Sequence, residues 1–355
     1  MNGPKAMVWL LTSRCNLACG HCYAAKYMDR GELDEEQALK VVEDAAKAGV
    51  KHIGFTGGEV FLRRDALHLM EYASKAGIST SVVTNGSMLT TEVARELANL
   101  NILVYLSIDG ANKETHEKVR GMGSWEHVIS ATETMRNVGL GFCTVMAVSN
   151  LNCGEVSDYL RLAKELGAQW GCLIPVMPSG RAGVEMVLQP REMLAVLQMV
   201  DRAADELDFS ISFWCTPFAG LVVNSNRVST GFCRTSSEDI DLDPAGNVLL
   251  CDVLDLVFSN VVETGILRGW VELESHPVVR AVTSPKLVEP CLSCRLRSKC
   301  RGGCFARSQL MAGDIHAPDP LCPQVAGELP RNWGSPSIKV SRSLASSPLY
   351  SGNVL

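Results

Sequence analysis

The chain has 355 residues, of which 46% are hydrophobic and 20% charged, a balance that excludes a disordered protein and allows one large domain plus a smaller one. Its net charge is −6 and no Lys/Arg cluster stands out, so nothing in the composition supports binding to nucleic acid or to an anionic membrane. No apolar run approaches the roughly 18 residues of a membrane span. We therefore expect a cytoplasmic protein without nucleic-acid or membrane partners.

From residue 5 to about residue 213, short apolar runs alternate with amphipathic segments. The apolar runs predict strands at Ala6–Leu11, His52–Phe55, Ser79–Thr84, Leu103–Ile108, Phe142–Val148, Gly171–Pro175 and Phe209–Phe213. The amphipathic segments predict helices at Glu35–Ala48, Arg64–Ala76, Thr91–Leu100, Trp125–Val138, Val156–Leu166 and Arg191–Asp205. Asp34 and Gln37 have the spacing of a capping box at the start of the first helix.

Strands separated by helices of this length indicate βαβ units and a parallel sheet. Six repeats fall short of the eight of a closed barrel, so the predicted fold class is α/β, a partial (β/α)6 TIM-type barrel followed by a small cysteine-rich domain. Active sites on such sheets lie at the carboxyl ends of the strands. We predict domain boundaries at 1–213 and 214–324, with a disordered tail over 325–355.

Fourteen cysteines in a chain expected to be cytoplasmic argue for metal ligation rather than disulfides. Three of them, Cys143, Cys153 and Cys172, are interpreted as ordinary buried thiols. Ten others fall into two regularly spaced groups, one near the start of the chain and one after residue 230.

The first group is the triplet Cys15, Cys19 and Cys22, which directly follows the first predicted strand. Its C-x3-C-x2-C spacing offers three thiolates to a 4Fe–4S cluster, which normally takes four. One iron would then be free to bind something else. A structural zinc knuckle or three unrelated thiols are the alternative interpretations of the triplet alone.

This spacing resembles the radical S-adenosylmethionine (SAM) superfamily, in which SAM chelates the free iron and is cleaved to a 5′-deoxyadenosyl radical that removes a hydrogen atom from the substrate. The resemblance implies SAM contacts from the Gly-Gly-Glu segment, Ser107, Arg120 and His21. The positions of Thr84 and Asn85 at the end of the third strand, and of Asn150 just past the fifth, add three further candidates. These candidates are Gly57, Gly58, Glu59, Thr84, Asn85, Ser107, Arg120, His21 and Asn150. His21 stands where the family usually places an aromatic ring against adenine, and Arg120 would bind the carboxylate of SAM.

The second group resembles the seven-cysteine SPASM extension of radical SAM enzymes, and every spacing fits. The resemblance assigns Cys233, Cys251 and Cys304 to a first auxiliary 4Fe–4S cluster, and Cys291, Cys294, Cys300 and Cys322 to a second. Cys215 lies where some relatives supply a fourth thiolate to the first cluster, and an iron left open for substrate is the alternative. Asp252 follows Cys251 and is a candidate catalytic base by the same resemblance. A zinc ribbon is the competing interpretation of these cysteines.

The resemblance implies an oxidoreductase that cross-links, oxidises or epimerises a peptide or protein, with flavodoxin or ferredoxin as the reductant. No leader-binding domain is expected ahead of residue 5, so the barrel, the SPASM loops or a separate partner would hold a peptide. A tetrapyrrole side-chain decarboxylase of haem biosynthesis is an alternative with a small-molecule substrate. An electron-transfer or scaffold protein with Fe–S or zinc sites and no SAM chemistry is the alternative from another class.

Overall fold

The computed structural model describes residues 3–235 and 237–329, and the strands in these ranges form a single eleven-stranded sheet. The strands are β1 (Ala6–Thr12), β2 (His52–Gly57), β3 (Ser79–Thr84), β4 (Leu103–Ser107), β5 (Phe142–Val148), β6 (Gly171–Pro175), β7 (Ile211–Phe213), β8 (Val228–Thr230), β9 (Asp239–Leu242), β10 (Asn247–Leu249) and β11 (Val257–Asn260). Their order is β11-β10-β9-β1-β2-β3-β4-β5-β6-β7-β8. From β9 to β8 every neighbouring pair is parallel, whereas β10 runs antiparallel to both of its neighbours.

Helices connect the parallel strands and pack against the sheet through their apolar sides. They are α1 (Glu35–Ala48), α2 (Ala66–Lys75), α3 (Thr91–Asn99), α4 (Lys113–Arg120), α5 (Ser124–Val138), α6 (Val156–Glu165), α7 (Pro190–Glu206), α8 (Val261–Ser275, with a break at Gly265), α9 (Pro277–Thr283), α10 (Arg297–Cys300) and α11 (Phe305–Ala312). The capping box of α1 is present in both directions, because the Gln37 amide N–H donates to Asp34 Oδ1 and the Asp34 amide N–H donates to Gln37 Oε1.

The predicted α/β fold class with a parallel sheet is confirmed. The first seven strands lie where the apolar runs place them, because parallel strands buried on both faces are nearly continuous in hydrophobic residues. Five helices are absent from the sequence prediction, α4 and the four helices α8 to α11. Polar residues dominate α4, and Gly265 interrupts the period of α8 with a φ of 70°.

The region after residue 213 does not form a separate layer. Its strand β8 extends the sheet beyond β7, and its strand β9 pairs in parallel with β1 at the opposite side. Residues 325–329 of the predicted tail are described, and Leu329 is buried there. The remainder of the 325–355 prediction lies outside the described residues.

In the portion of the chain that the structure describes, no helix is both long and apolar enough to cross a bilayer.

Candidate active site and cluster sites

A single cavity joins the carboxyl ends of the central strands to the cysteine-rich region. Its empty volume is about 1990 Å3, including space that opens to solvent. The cysteines that line it are Cys15, Cys19, Cys22, Cys215, Cys233, Cys251 and Cys304. The triplet and the cysteines predicted for the first auxiliary cluster therefore face the same space.

The triplet lies on the loop that leaves β1. Cys19 is buried and Cys15 and Cys22 are half-buried, and the Leu17 amide N–H donates to Cys15 Sγ at 3.4 Å. Burial raises the pKa of the Cys15 and Cys19 thiols. Thiols of this kind ligate iron as thiolates, and a bound cation offsets the cost of burying their charge.

Gly57 and Gly58 hold this loop against the end of β2. The Gly58 amide N–H donates to the Thr12 carbonyl at 2.7 Å, and the next amide, of Glu59, donates to the Arg14 carbonyl at 2.9 Å. A Cβ on Gly57 would lie 2.3 Å from the Thr12 oxygen, and one on Gly58 would lie 2.0 Å from the Arg14 oxygen. Both glycines line the cavity, but these close approaches are to the cysteine loop itself.

Gly58→Ala is expected to displace the cysteine loop, because the new methyl group meets backbone that cannot rotate away. We expect the free energy of unfolding to fall by about 1–3 kcal/mol and iron incorporation at the triplet to decrease. Chemical denaturation and iron analysis measure the two effects. Gly154→Ala is the matched control, since a Cβ there meets nothing within 4 Å, and an equal loss in both variants would contradict the explanation.

Glu59 is fully buried beneath the loop and links β2 to β3. Its carboxylate accepts hydrogen bonds from the Thr84 hydroxyl at 2.8 Å, the Asn85 amide N–H at 2.9 Å and the Phe61 amide N–H at 3.3 Å. Burial raises the pKa of Glu59 although these donors oppose the shift. Thr84 and Asn85 line the cavity, and the predicted SAM contact of all three side chains stays a prediction.

Asp109 holds Arg120 and His21 together at the rim of the triplet. The Arg120 Nε lies 2.6 Å and the His21 Nε2 lies 3.5 Å from Asp109 Oδ2, and Oδ1 accepts the Ala147 amide N–H at 2.7 Å. Burial lowers the pKa of His21 to about 4, so the ring is neutral at pH 7. Arg120 is the cation that pairs with this carboxylate.

Arg120, His21 and Ser107 all line the cavity, whereas Asn150 does not. Asn150 is exposed, and its amide donates to the Glu185 carbonyl at 2.6 Å. The structure therefore does not bring Asn150 to this site, because the loop after β5 turns its side chain toward residue 185.

The candidate first auxiliary site lies where Cys215, Cys233, Cys251 and Cys304 line the cavity. Cys215 thus joins the three predicted cysteines. The neighbouring Cys215 thiol lowers the pKa of Cys304, burial raises this pKa, and the Arg307 guanidinium lowers it. Four thiols are thus available here, and the role of Cys215 as the fourth ligand stays a prediction.

The second auxiliary site consists of four cysteines that line a smaller pocket of about 330 Å3 empty volume. They are Cys291, Cys294, Cys300 and Cys322. Burial raises the pKa of Cys291 to about 11 and that of Cys322 to about 12. This is the set that the resemblance to the SPASM extension implies, and its role as a cluster site stays a prediction.

Within the described residues, no three thiols are as close together as the ligands of a single zinc ion. Zinc–sulfur bonds of about 2.3 Å in a tetrahedral site place the sulfur atoms about 4 Å apart. Among residues 3–235 and 237–329, Asp241, Cys251 and Asp252 form the only group of three or more metal-ligand side chains whose ligand atoms all lie within 4.8 Å of one another. No group of three cysteines in these ranges is that tight.

Metal analysis after anaerobic reconstitution is expected to give about twelve irons per chain with matching sulfide and little zinc. That result corresponds to one cluster at the triplet and one at each auxiliary site. About four irons with stoichiometric zinc would instead make the cysteine-rich region a structural zinc module.

An acidic wall, made of Asp239, Asp241 and Asp252, lines the cavity beside Cys251. Asp241 is buried and its Oδ2 accepts the Asp252 amide N–H at 2.9 Å. Of these residues the sequence analysis identified Asp252 alone. The alternation Asp239-Ile-Asp-Leu-Asp243 has the period of a strand and could have indicated that its carboxylates share one face.

Tyr23 directly follows Cys22 and contacts Asp252. The sequence analysis did not select this residue. Its hydroxyl donates to Asp252 Oδ2 at 2.5 Å. Burial and then the Asp252 carboxylate raise the pKa of Tyr23 well above its usual value, so the phenol stays protonated and remains a donor. The segment next to Cys22 is thereby connected to the segment next to Cys251.

Comparison with known proteins agrees with this arrangement. The profile of the Radical SAM superfamily matches residues 9–163. The AdoMet-dependent heme synthase of Methanosarcina barkeri is 28% identical over 348 residues, covering 90% of this chain and 97% of that protein. The mycofactocin maturase MftC of Mycolicibacterium smegmatis is 28% identical over 352 residues, covering 96% of this chain and 86% of that protein.

The fold also matches a solved structure. The crystal structure of Streptococcus suis SuiB bound to the precursor peptide SuiA superposes with a TM-score of 0.76 at 17% identity, over 91% of this chain and 76% of that one. At this identity the likeness concerns the fold.

Proposed function

We propose that this chain, a radical SAM enzyme with a C-terminal SPASM domain, modifies a peptide or protein substrate by cross-linking, oxidation or epimerisation. When bound, the 4Fe–4S cluster and SAM supply a 5′-deoxyadenosyl radical that abstracts a hydrogen atom. Cys15, Cys19 and Cys22 would hold that cluster, and the auxiliary sites would hold two more. The substrate would occupy the cavity between the triplet and the first auxiliary site.

SAM would lie at the carboxyl ends of β2, β3 and β4. The proposed contacts are Gly57, Gly58, Glu59, Thr84, Asn85, Ser107, Arg120 and His21. Asp109 would keep the guanidinium of Arg120 in place beside the triplet. The remaining N–H groups of that guanidinium could then bind the SAM carboxylate. The neutral His21 ring would offer a flat surface to the adenine.

The charge of the cavity is the observation that favours a peptide over a tetrapyrrole. Its wall presents Asp239, Asp241 and Asp252, while Arg120, the one arginine that lines it among residues 3–235 and 237–329, is paired with Asp109. Burial raises the pKa of Asp241 well above its usual value, so this carboxyl is largely uncharged, and the wall offers the propionates of a porphyrin no cationic partner. A peptide substrate does not need cationic side chains in the cavity.

Full-length similarity to a heme synthase supports the tetrapyrrole alternative, and a direct comparison of substrates tests both. The reconstituted enzyme is incubated anaerobically with SAM, a reductant and either a porphyrin bearing propionates or a candidate substrate peptide. A mass change in the peptide alone, seen by mass spectrometry, is expected. A mass change in the porphyrin alone would overturn the peptide assignment.

Asp252 would act as the base that takes a proton from the substrate, with Tyr23 holding its carboxylate toward the cavity. Asp252→Asn keeps the size of the side chain and removes the carboxylate charge. We expect product formation to fall by about 100-fold or more, the usual contribution of a positioned base, while cleavage of SAM continues.

Asp255→Asn is the matched control for this change, because Asp255 lies three residues away and pairs with Arg30 at the surface. Product and 5′-deoxyadenosine are quantified in the same chromatographic run. Equal losses of both compounds in the Asp252 variant would contradict a role as base and indicate damage to the adjacent cluster ligand.

We also propose a low-potential flavodoxin or ferredoxin as the electron donor and a cytoplasmic location. All fourteen cysteines lie in the described ranges and none forms a disulfide. Free thiols in this number are typical of a reducing compartment.

A further inference from the structure

A buried ion pair lies between the two auxiliary sites. Arg307 and Asp319 are both fully buried, and Arg307 Nη1 lies 2.6 Å from Asp319 Oδ2. Burying two charges costs more than their attraction returns unless further hydrogen bonds satisfy the remaining atoms. The other partners of this pair therefore indicate what it holds in place.

The partners of Asp319 belong to the ligand segments of both sites. Its Oδ2 also accepts the amide N–H of Cys304, a ligand of the first site, at 2.9 Å. Its Oδ1 accepts the amide N–H of Leu321 at 3.0 Å, and its carbonyl accepts that of Cys322, a ligand of the second site, at 3.0 Å. Asp319 thus contacts the backbone at two cysteines of different sites, Cys304 through its carboxylate and Cys322 through its carbonyl, and its carboxylate also orders Leu321 next to Cys322.

The two segments touch with no space between them. Gly303 has a φ of 103°, and a Cβ on it would lie 2.1 Å from the Asp319 Cβ. The Asp319 amide N–H donates to the Gly302 carbonyl at 2.8 Å. A shift of Asp319 would therefore move the loop that leads into Cys304.

Arg307 extends the connection to Cys215. Its Nη2 donates to the Cys215 carbonyl at 2.9 Å. Cys215 has a φ of 51°, a left-handed conformation that a residue other than glycine keeps only when its surroundings hold it. The same guanidinium is thus placed to hold the backbone that aims the Cys215 thiol at Cys304.

We propose that the Arg307–Asp319 pair is a shared positioning element for both auxiliary clusters, so that its loss empties both sites together. Each cysteine ligand serves one cluster, whereas Asp319 orders ligand segments of both. This inference rests on the cluster assignment and is independent of the substrate class, so iron counts test it even if neither candidate substrate is modified.

The test compares Asp319→Asn with a single-site variant, Cys322→Ala, and with a buried carboxylate elsewhere, Asp243→Asn. Asp243 is a close match, since it is fully buried, pairs with Arg30 at 2.6 Å and caps a turn through the amide N–H groups of Ala245 and Asn247. Iron and sulfide are measured after anaerobic reconstitution, and electron paramagnetic resonance (EPR) of the reduced protein identifies which clusters are present.

We expect Asp319→Asn to retain about four irons, those of the triplet, out of about twelve. Cys322→Ala should lose one cluster and Asp243→Asn none. A full iron count in Asp319→Asn, or the loss of a single cluster as in Cys322→Ala, would overturn the proposal.

Arg307→Lys decides the question if Asp319→Asn does not fold. Lysine keeps the charge near Asp319 but lacks the planar fork that reaches Asp319 and the Cys215 carbonyl together. We expect lower occupancy at both auxiliary sites with the triplet signal unchanged. Wild-type EPR spectra of both auxiliary clusters would contradict the shared role.

Discussion

Replacing Cys19 with alanine is expected to remove about four irons per chain and to abolish the cleavage of SAM. Cys19 is the buried member of the triplet, and its Sγ lies 3.9 Å from the carbonyl of Arg120, the proposed carboxylate ligand. Two thiolates would remain for a cluster that already has one thiolate fewer than usual. Loss of an outer-shell partner costs about 10–100-fold in metal affinity or activity, so loss of a ligand should exceed 100-fold.

The measurement is the yield of 5′-deoxyadenosine with dithionite as reductant, together with iron analysis. Cys153→Ala is the control, because Cys153 is a half-buried thiol that does not line the cavity. Unchanged SAM cleavage in the Cys19 variant would refute the radical mechanism.

Asp109→Asn is expected to produce a large loss of stability. Asp109 is fully buried and balances the charge of Arg120, which is itself only 11% exposed. Removing one partner of a buried pair costs about 3–5 kcal/mol, because the other charge is left uncompensated. Arg120 should then lose its fixed position, so SAM affinity should fall as well.

The pH dependence of the unfolding free energy provides a second test with the same variant. Burial would raise the pKa of Asp109, but Arg120 and then His21 hold it below its usual value. The stability from this carboxylate is therefore present above the unfolded-state pKa of about 3.9 and is lost as the pH falls through the folded-state pKa. The difference in unfolding free energy between wild type and Asp109→Asn should shrink in that range.

An exposed ion pair serves as the comparison for the buried pair of Asp109 and Arg120. Asp158 pairs with Arg161 at 2.6 Å, and both side chains are more than half exposed. Asp158→Asn should cost less than about 1 kcal/mol. Both variants are measured by chemical denaturation. Similar losses of unfolding free energy in Asp109→Asn and Asp158→Asn would contradict the argument.

The sequence predicted the parts of the fold whose signals are local. β1 to β7 are apolar runs, and α1 carries its capping box, so both features are visible without knowing the tertiary structure. β9 was missed because its aspartates are polar, although the sheet buries Asp239 and Asp241. A carboxylate in a buried strand can be understood only once its neighbours are known.

The same limit applies to the site. The resemblance of the cysteine spacings to the SPASM extension implied how these cysteines divide between two sites. It did not predict that Gly58 approaches the Arg14 carbonyl or that Arg307 reaches the Cys215 carbonyl, since these contacts join segments far apart in sequence. Residues that order a site through another segment leave no periodic pattern.

The pairing of β9 with β1 limits how this protein can be divided. A fragment that ends at residue 213 would leave the edge of β1 without its hydrogen-bonding neighbour, next to the loop that carries the triplet. Unpaired strand edges recruit other chains, so such a fragment should aggregate rather than act as a minimal catalyst. Chimaeras that exchange the cysteine-rich region should therefore bring their own strand for this edge, and libraries of hybrid enzymes should place the junction outside residues 239–242.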